Sequence, residues 1–352
     1  MKEKKEEEKP QRHRAVEIRG ESFVNAHTHV YSGLAPLGMP ALATPPRNFI
    51  EILQKIWWRL DRALDEKTLR ASARYYMAEA RAAGTTTVID HHESPNFIDG
   101  ALDVLANAAE GIGVRLVTCY GATERNGGRE EARRGLRECA RFIRANRRAN
   151  VRGMVGLHAS FTVSDETLRE AGDLARELGV GVHVHVAEDF ADVDDARTRG
   201  YPGPLERLFT LHALPPGSIV AHGVHLDRVQ VEAATSAGCW LVQNPRSNEA
   251  NRVGYPRALA ASDRVGLGTD GFPSDMAKEE SALFDSAARS TPAVPESRDA
   301  LSRRLATNRD IARSLFGHAP YAPSAPTMDV QEIRAHAEEA AKHLWRRMKE
   351  IA

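Results

Sequence analysis

His27-Thr28-His29 is the sharpest chemical signal in this chain. Side chains alternate faces along a strand, so residues two apart point the same way and two imidazoles can grip one cation. Alone the pair carries little, because neighbouring histidines are more often core or surface residues. It gains weight from His185, in His183-Val184-His185-Val186-Ala187-Glu188, and from Asp270, in Gly268-Thr269-Asp270-Gly271. Three imidazoles and a carboxylate suit Zn²⁺ or Fe²⁺ with a position left for water. Ca²⁺ and Mg²⁺ prefer oxygen-rich sites. Glu188 follows His185 by three residues and could shuttle a proton between water and a substrate ring nitrogen; the competing reading is a helix-start or surface carboxylate. His222 is a candidate to hydrogen-bond the hydrolytic water, against a structural role at the same place. Asp270 has small neighbours and could both ligate a metal and accept a proton, against a tight-turn role. His183 lies a layer deeper than His185 and reads as a hydrogen-bonded core or supporting histidine. His225 reads as structural.

These groups need elements to carry them. Apolar, β-rich runs at 22–29, 85–92, 114–121, 151–158, 180–187, 218–225, 239–244 and 264–269 predict eight strands. His27 and His29 close the first strand, His91 and His92 the second, His158 the fourth, His185 and Glu188 the fifth, His222 and His225 the sixth, and Asp270 the eighth. Helical periodicity falls between them, at 66–83, 130–146 and 166–178 among others. Gly84, Gly179 and Gly238 stand where left-handed helix caps belong. Strand–helix alternation with strands apolar on both faces implies a parallel sheet. Eight such units favour an α/β fold closed as a (β/α)8 TIM-like barrel, whose chemistry gathers at the carboxyl ends of its strands. The expected organisation is a charged lead-in at 1–14 (MKEKKEEEKPQRHR), a barrel over 15–318 whose part from 275 to 317 is helical, a Pro-rich link at 319–327 and a C-terminal helix at 328–352. Val330, Ile333, Ala337, Ala341, Leu344, Trp345 and Met348 form that helix's apolar stripe, for packing on the barrel or on a partner subunit in a homodimer.

Composition narrows the function classes. Lys+Arg and Asp+Glu are both 48 in 352 residues, so no basic field points to nucleic acid. No apolar run approaches the roughly 20 residues of a membrane span, and no signal-peptide pattern follows Met1. The three cysteines, Cys119, Cys139 and Cys239, form no CxxC pair, which argues against a disulfide framework or a thiolate metal site. A cytoplasmic protein acting on a small molecule is the expectation.

The quoted residues resemble the amidohydrolase superfamily, within it the chlorohydrolase/aminohydrolase (ATZ/TRZ-like) branch that includes guanine, cytosine and methylthioadenosine deaminases. NAHTH (25–29), HVHVAE (183–188), AHGVHL (221–226), QNPRSN (243–248) and GTDG (268–271) occur in that family's order. NFIEILQKIWWRLDRALD (48–65) with TTTVIDHHESP (85–95) is similar to the SsnA-type aminohydrolases associated with selenium metabolism. The resemblance implies one divalent metal on His27, His29, His185 and Asp270, Glu188 as proton shuttle and His222 as partner of the hydrolytic water. It implies hydrolytic deamination of a purine, pyrimidine or related N-heterocycle; hydrolysis of another C–N, C–Cl or cyclic amide bond is the alternative. His158 matches a substrate-contacting position, and His92, Arg125, Asn244, Trp57 and Trp58 are further pocket candidates, helix packing competing at both tryptophans. Family members carry a small β-sandwich built from segments flanking the barrel. The sequence here lacks its strands, so an engineered or domain-deleted metal-binding barrel with little activity is a third expectation.

Overall fold

Eight parallel strands follow one another around the chain in a computed structural model that describes residues 22–271, 273–294, 296–318, 321 and 329–351. They are β1 (Phe23–Thr28), β2 (Thr85–Asp90), β3 (Arg115–Thr118 and Gly121–Ala122), β4 (Val151–Gly153 and Val155–Ala159), β5 (Val182–Val186), β6 (Ile219–His222), β7 (Trp240–Gln243) and β8 (Val265–Leu267). Each pairs with the next in sequence, with Thr87 opposite Arg115, Leu116 opposite Val151, Leu157 opposite Val184, His185 opposite Ala221, and Gly266 opposite Val242. The breaks inside β3 and β4 divide the ladder into two sheets, β1 to the first half of β4 and the second half of β3 to β8. β3 and β4 belong to both, so the breaks are bends in continuous strands.

The ring meets itself between β8 and β1. The amides of Thr269 and Asp270 both donate to the carbonyl of His27, at 2.9 and 3.1 Å. Asn308 completes the seam. Its amide nitrogen donates to the carbonyls of Val24 and Leu267 (2.7 and 2.8 Å), while its Oδ1 accepts from the Leu267 amide (2.7 Å). One buried carboxamide thus satisfies backbone groups of both strands that would otherwise be orphaned. Gly266 leaves it room, since a Cβ there would sit 2.6 Å from Asn308 Oδ1.

Helices cover the outside. Val182, Val184 and Val186 of β5 pack with Leu168, Ala171 and Ala175 of the preceding helix, Asp165–Leu178, which Ser164 caps. His183 and His185 take the opposite, inward face by the two-residue alternation of a strand. Gly84, Gly179 and Gly238 adopt φ of 82°, 65° and 78°, which side-chain-bearing residues rarely hold. The region from 275 to 317 is two helices, Met276–Arg289 and Arg298–Phe316, with Pro292 and Pro295 in the segment between them. The C-terminal helix, Val330–Glu350, buries Ile333, Ala337, Ala341, Leu344, Trp345 and Met348; Val330 is half-buried. It lies on this chain's own segment 58–82, where Arg347 Nε donates to the Ala63 carbonyl (2.7 Å), and it reaches Leu37, whose carbonyl accepts from Trp345 Nε1 (2.8 Å). The apolar stripe is therefore used inside the chain. The lead-in at 1–14 and all but Tyr321 of the link at 319–327 lie outside the described residues. No helix among those described is long and apolar enough to cross a membrane.

Candidate metal centre

Several strands end earlier than their apolar runs, and the early endings build the site. Ala187 after β5, His222 at the end of β6 and Asp270 after β8 hold left-handed φ of 50°, 73° and 60°. Such backbone costs about 1–3 kcal/mol for a residue with a side chain and persists where the surroundings impose it. At these turns Glu188, His222 and Asp270 meet over the barrel mouth.

His27, His29, His185 and Asp270 converge there, and their ligand atoms lie within 4.8 Å of one another. Asp270 Oδ1 is 3.0 Å from His27 Nε2, 3.1 Å from His29 Nε2 and 4.0 Å from His185 Nε2. Each imidazole is held from behind by its other nitrogen. His29 Nδ1 donates to the His91 carbonyl (2.6 Å) and His185 Nδ1 to the His158 carbonyl (2.5 Å). Carbonyls only accept, so the proton sits on Nδ1 and the lone pair on Nε2. His27 Nδ1 meets His183 Nε2 at 2.8 Å, which gives His183 the supporting place expected of it. In their neutral forms the Nε2 atoms of His29 and His185 consequently face each other at 3.1 Å, each with a lone pair. Two converging lone pairs beside a carboxylate form a donor set for a cation. Nitrogen and carboxylate oxygen in this ratio fit a divalent transition metal. Burial keeps His185 well below the ordinary imidazole range and His27 down at about 3, so both are neutral and able to ligate. At His29 burial acts the same way, but Glu93 and Asp270 outweigh it and raise the pKa. A metal would displace that proton.

Glu188 and His222 stand beside the cluster. His222 Nε2 is 3.5 Å from Asp270 Oδ1 and 3.6 Å from Glu188 Oε2, and its Nδ1 is anchored by Asn248 Oδ1 at 2.9 Å. Burial raises Glu188 to about 7 despite the opposing pull of His222. His222 would be lowered by its own burial, yet Glu188 and Asp270 lift it to about 9. Burial also pushes Asp270 upward, but His222, His27 and His29 hold it well below the carboxylate range. Two neighbouring carboxylates thus have opposite proton affinities, the arrangement that divides acid from base.

A cavity of about 320 Å³ opens over these groups. Trp57, Trp58 and His158 line it with Tyr31, Phe49 and Phe161, so both tryptophans face the cavity. They are carried by the segment Phe49–Ala63, whose middle turn, Leu53–Trp57, is a π-helix. Two other pocket candidates lie behind that wall. Arg125 pairs with buried Asp61 at 2.7 Å and lies 4.8 Å from the Trp58 ring centre. His92 turns away to Ser94 Oγ (2.8 Å), because it follows His91 directly and adjacent strand residues face opposite sides. His91 takes the inward place, its ring 4.6 Å from that of His185. Asn244 is buried beneath His222, at 3.4 Å from its Nδ1, and not on the cavity wall. Sequence reading passed over Ser247 and Asn251. Pro245 starts the helix Pro245–Ala250, which places these two residues one turn apart on the cavity side. Ser247 Oγ donates to Asp270 Oδ2 (2.5 Å) and Asn251 Nδ2 to Glu188 Oε1 (3.1 Å). The Pro-x-Ser spacing after Asn244 was the available signal.

The profile of the Amidohydrolase family matches residues 22–343. A 5'-deoxyadenosine deaminase from Methanopyrus kandleri is 30% identical over 303 residues, 82% of this chain and 66% of that one. An 8-oxoguanine deaminase from Pseudomonas aeruginosa is 28% identical over 272 residues, 72% of this chain and 60% of its own. The chain therefore spans somewhat less than two thirds of the length of these curated relatives. Among solved structures, an adenosine deaminase from Xanthomonas campestris with bound zinc superposes with a TM-score of 0.70 at 20% identity, covering 92% of this chain and 85% of that one. An atrazine chlorohydrolase from Arthrobacter aurescens complexed with zinc gives 0.72 at 18% identity, covering 91% and 87%. At these identities the two structures establish the shared barrel architecture.

Proposed function

Because the chain belongs to the amidohydrolase family, we propose that it is a metal-dependent hydrolase that deaminates a small N-heterocycle such as an aminated purine or pyrimidine. One observation carries the reading: two largely enclosed carboxylates, Glu188 and Asp270, flank His222 at 3.6 and 3.5 Å beside a three-histidine donor set. His27, His29, His185 and Asp270 would hold the metal, with Zn²⁺ favoured by the zinc-bound structural relatives and Fe²⁺ the alternative. Such a cation, when bound, lowers the pKa of water towards 7 and polarises the bond under attack.

The chain's own groups handle the protons. Asp270, the stronger acid, stays ionised and can take a proton from water. Glu188, with a pKa of about 7, can hold a proton near neutral pH and deliver it to a ring nitrogen, which makes the adjacent carbon electrophilic. His222, raised to about 9, is cationic and stabilises negative charge developing between the two carboxylates. In the balanced reaction a C–O bond forms and a C–N bond breaks; one proton of water leaves with the amino group as ammonia, and the other ends on the ring nitrogen of the carbonyl product. Trp57, Trp58, Tyr31 and Phe161 offer flat apolar surface to a heteroaromatic ring, and His158 a polar contact. A reducing, cytoplasmic setting suits the three free, buried cysteines.

The deciding experiment is a screen of aminated purines, pyrimidines and triazines with Zn²⁺- and Fe²⁺-loaded protein, reading ammonia against halide and thiol release. Ammonia from one subset is the expected result. Halide or thiol release alone would reassign the reaction, and no turnover on any member would leave a metal-binding barrel without this activity.

A further inference from the structure

Behind His29, on the side away from the proposed cation, lies a buried carboxylate with no role in the mechanism above. Glu93 follows β2 in the run His91-His92-Glu93 and is 1% exposed. A buried carboxylate is costly unless paired, and the partners here are both imidazoles. Its Oε1 is 2.6 Å from His91 Nδ1 and its Oε2 3.4 Å from His29 Nδ1. His91 is itself fixed, since its Nε2 donates to the Leu157 carbonyl at 2.9 Å. The backbone opposite is shaped around the pair: a Cβ on Gly121 would lie 2.4 Å from Glu93 Oε1 and 2.5 Å from His91 Cε1.

The three histidines of the cluster are supported unequally. His27 is backed by the His183 ring and His185 by the His158 carbonyl. His29 alone among them has an ion-paired carboxylate behind it, at the Nδ1–H that also donates to the His91 carbonyl. A carboxylate there orients the ring and increases electron donation from the nitrogen opposite.

We propose that Glu93 is a positioning residue for the metal centre, holding Nδ1–H of His29 together with the His91 carbonyl so that Nε2 of His29 is aimed at the cation. This rests on the metal-binding part of the reading above and not on the identity of the substrate. His91 links the carboxylate to β4 and keeps it from swinging towards the cavity.

Zn²⁺ affinity measured by competition with a chromophoric chelator tests it, on wild type, Glu93→Gln and Glu93→Leu, with thermal melting of each metal-free protein as the folding control. The expected result is one Zn²⁺ per chain in the wild type, an affinity about 10–100-fold lower in Glu93→Gln, and a further loss in Glu93→Leu. Zn²⁺ affinity in folded Glu93→Gln within twofold of wild type would overturn the proposal and leave the metal centre standing. Two Zn²⁺ per chain, with one lost in Glu93→Gln, would overturn it by making Glu93 a ligand. A wild type that binds no Zn²⁺ would overturn both this inference and the metal reading beneath it.

Discussion

Replacing Glu188 by Gln removes a charge and a proton carrier while preserving the shape of the side chain. The amide oxygen can still accept from Asn251 Nδ2, now 3.1 Å from Glu188 Oε1, so the side chain keeps its anchor. What disappears is the ionisable oxygen 3.6 Å from His222 Nε2. General acid–base catalysis by a positioned group contributes about 10²–10⁴-fold, which at about 1.36 kcal/mol per decade is roughly 2.7–5.4 kcal/mol of transition-state stabilisation. The expected outcome for Glu188→Gln is a fall of that size in kcat on whichever heterocycle the wild type deaminates. Metal content should not change, because Glu188 lies outside the four-residue cluster. His222 supplies an internal check: the Glu188 charge is a main cause of its rise to about 9, so its pKa should fall in the variant, followed by NMR of the ring protons. The assay is steady-state ammonia release alongside elemental analysis of the same samples. A variant that keeps its metal and more than a tenth of wild-type kcat would refute the proton-shuttle assignment.

Three further perturbations probe the scaffold. Gly268→Ala places a Cβ 2.5 Å from Asn244 Oδ1 and 2.7 Å from the His27 carbonyl, so it should destabilise the β8–β1 seam by about 1–3 kcal/mol; an unchanged urea midpoint would argue against the seam described. Arg125→Met leaves the 1%-exposed Asp61 without its cation and should lose about 3–5 kcal/mol, with Asp61→Asn added to it recovering part of the loss in the same urea series. Asp192 is raised to about 6 chiefly by burial, although Ser160 Oγ and the amides of Phe161 and Ala187 donate to it. Its folded pKa lies above the unfolded value of about 3.9, so its contribution is fully present below that value and is lost as pH rises through 6. Wild type should therefore gain on Asp192→Asn by about 1.4 kcal/mol per unit as pH falls from about 6 to 4. A difference that stays flat with pH would refute the assignment.

The metal cluster was legible because strand alternation and strand-end placement are local properties. His27 and His29 share a face through two-residue spacing, and the register of polar residues at the ends of apolar runs marked the barrel mouth before any contact was known. Strand ends were less legible. Ala187 and His222 leave the extended conformation although their sequences read on as strand, because tertiary contacts impose a left-handed backbone that local preference opposes. Of the adjacent pair, His91 faces His185 and His92 faces Ser94, since the phase of the alternation depends on where β2 leaves its sheet.

The sequence by itself determined the eight-fold alternation and the side chains able to ligate a cation or carry a proton, since each depends on residue type and on placement at the end of an apolar run. Tertiary structure alone decided which groups stand behind them: Glu93 beneath His29, Ser247 and Asn251 against the two carboxylates, and Asn308 stitching β8 to β1. Asn308 and β1 are 284 residues apart and Glu93 and His29 meet across two strands. Such pairings arise only when the barrel closes, because no local spacing encodes a distance between strands.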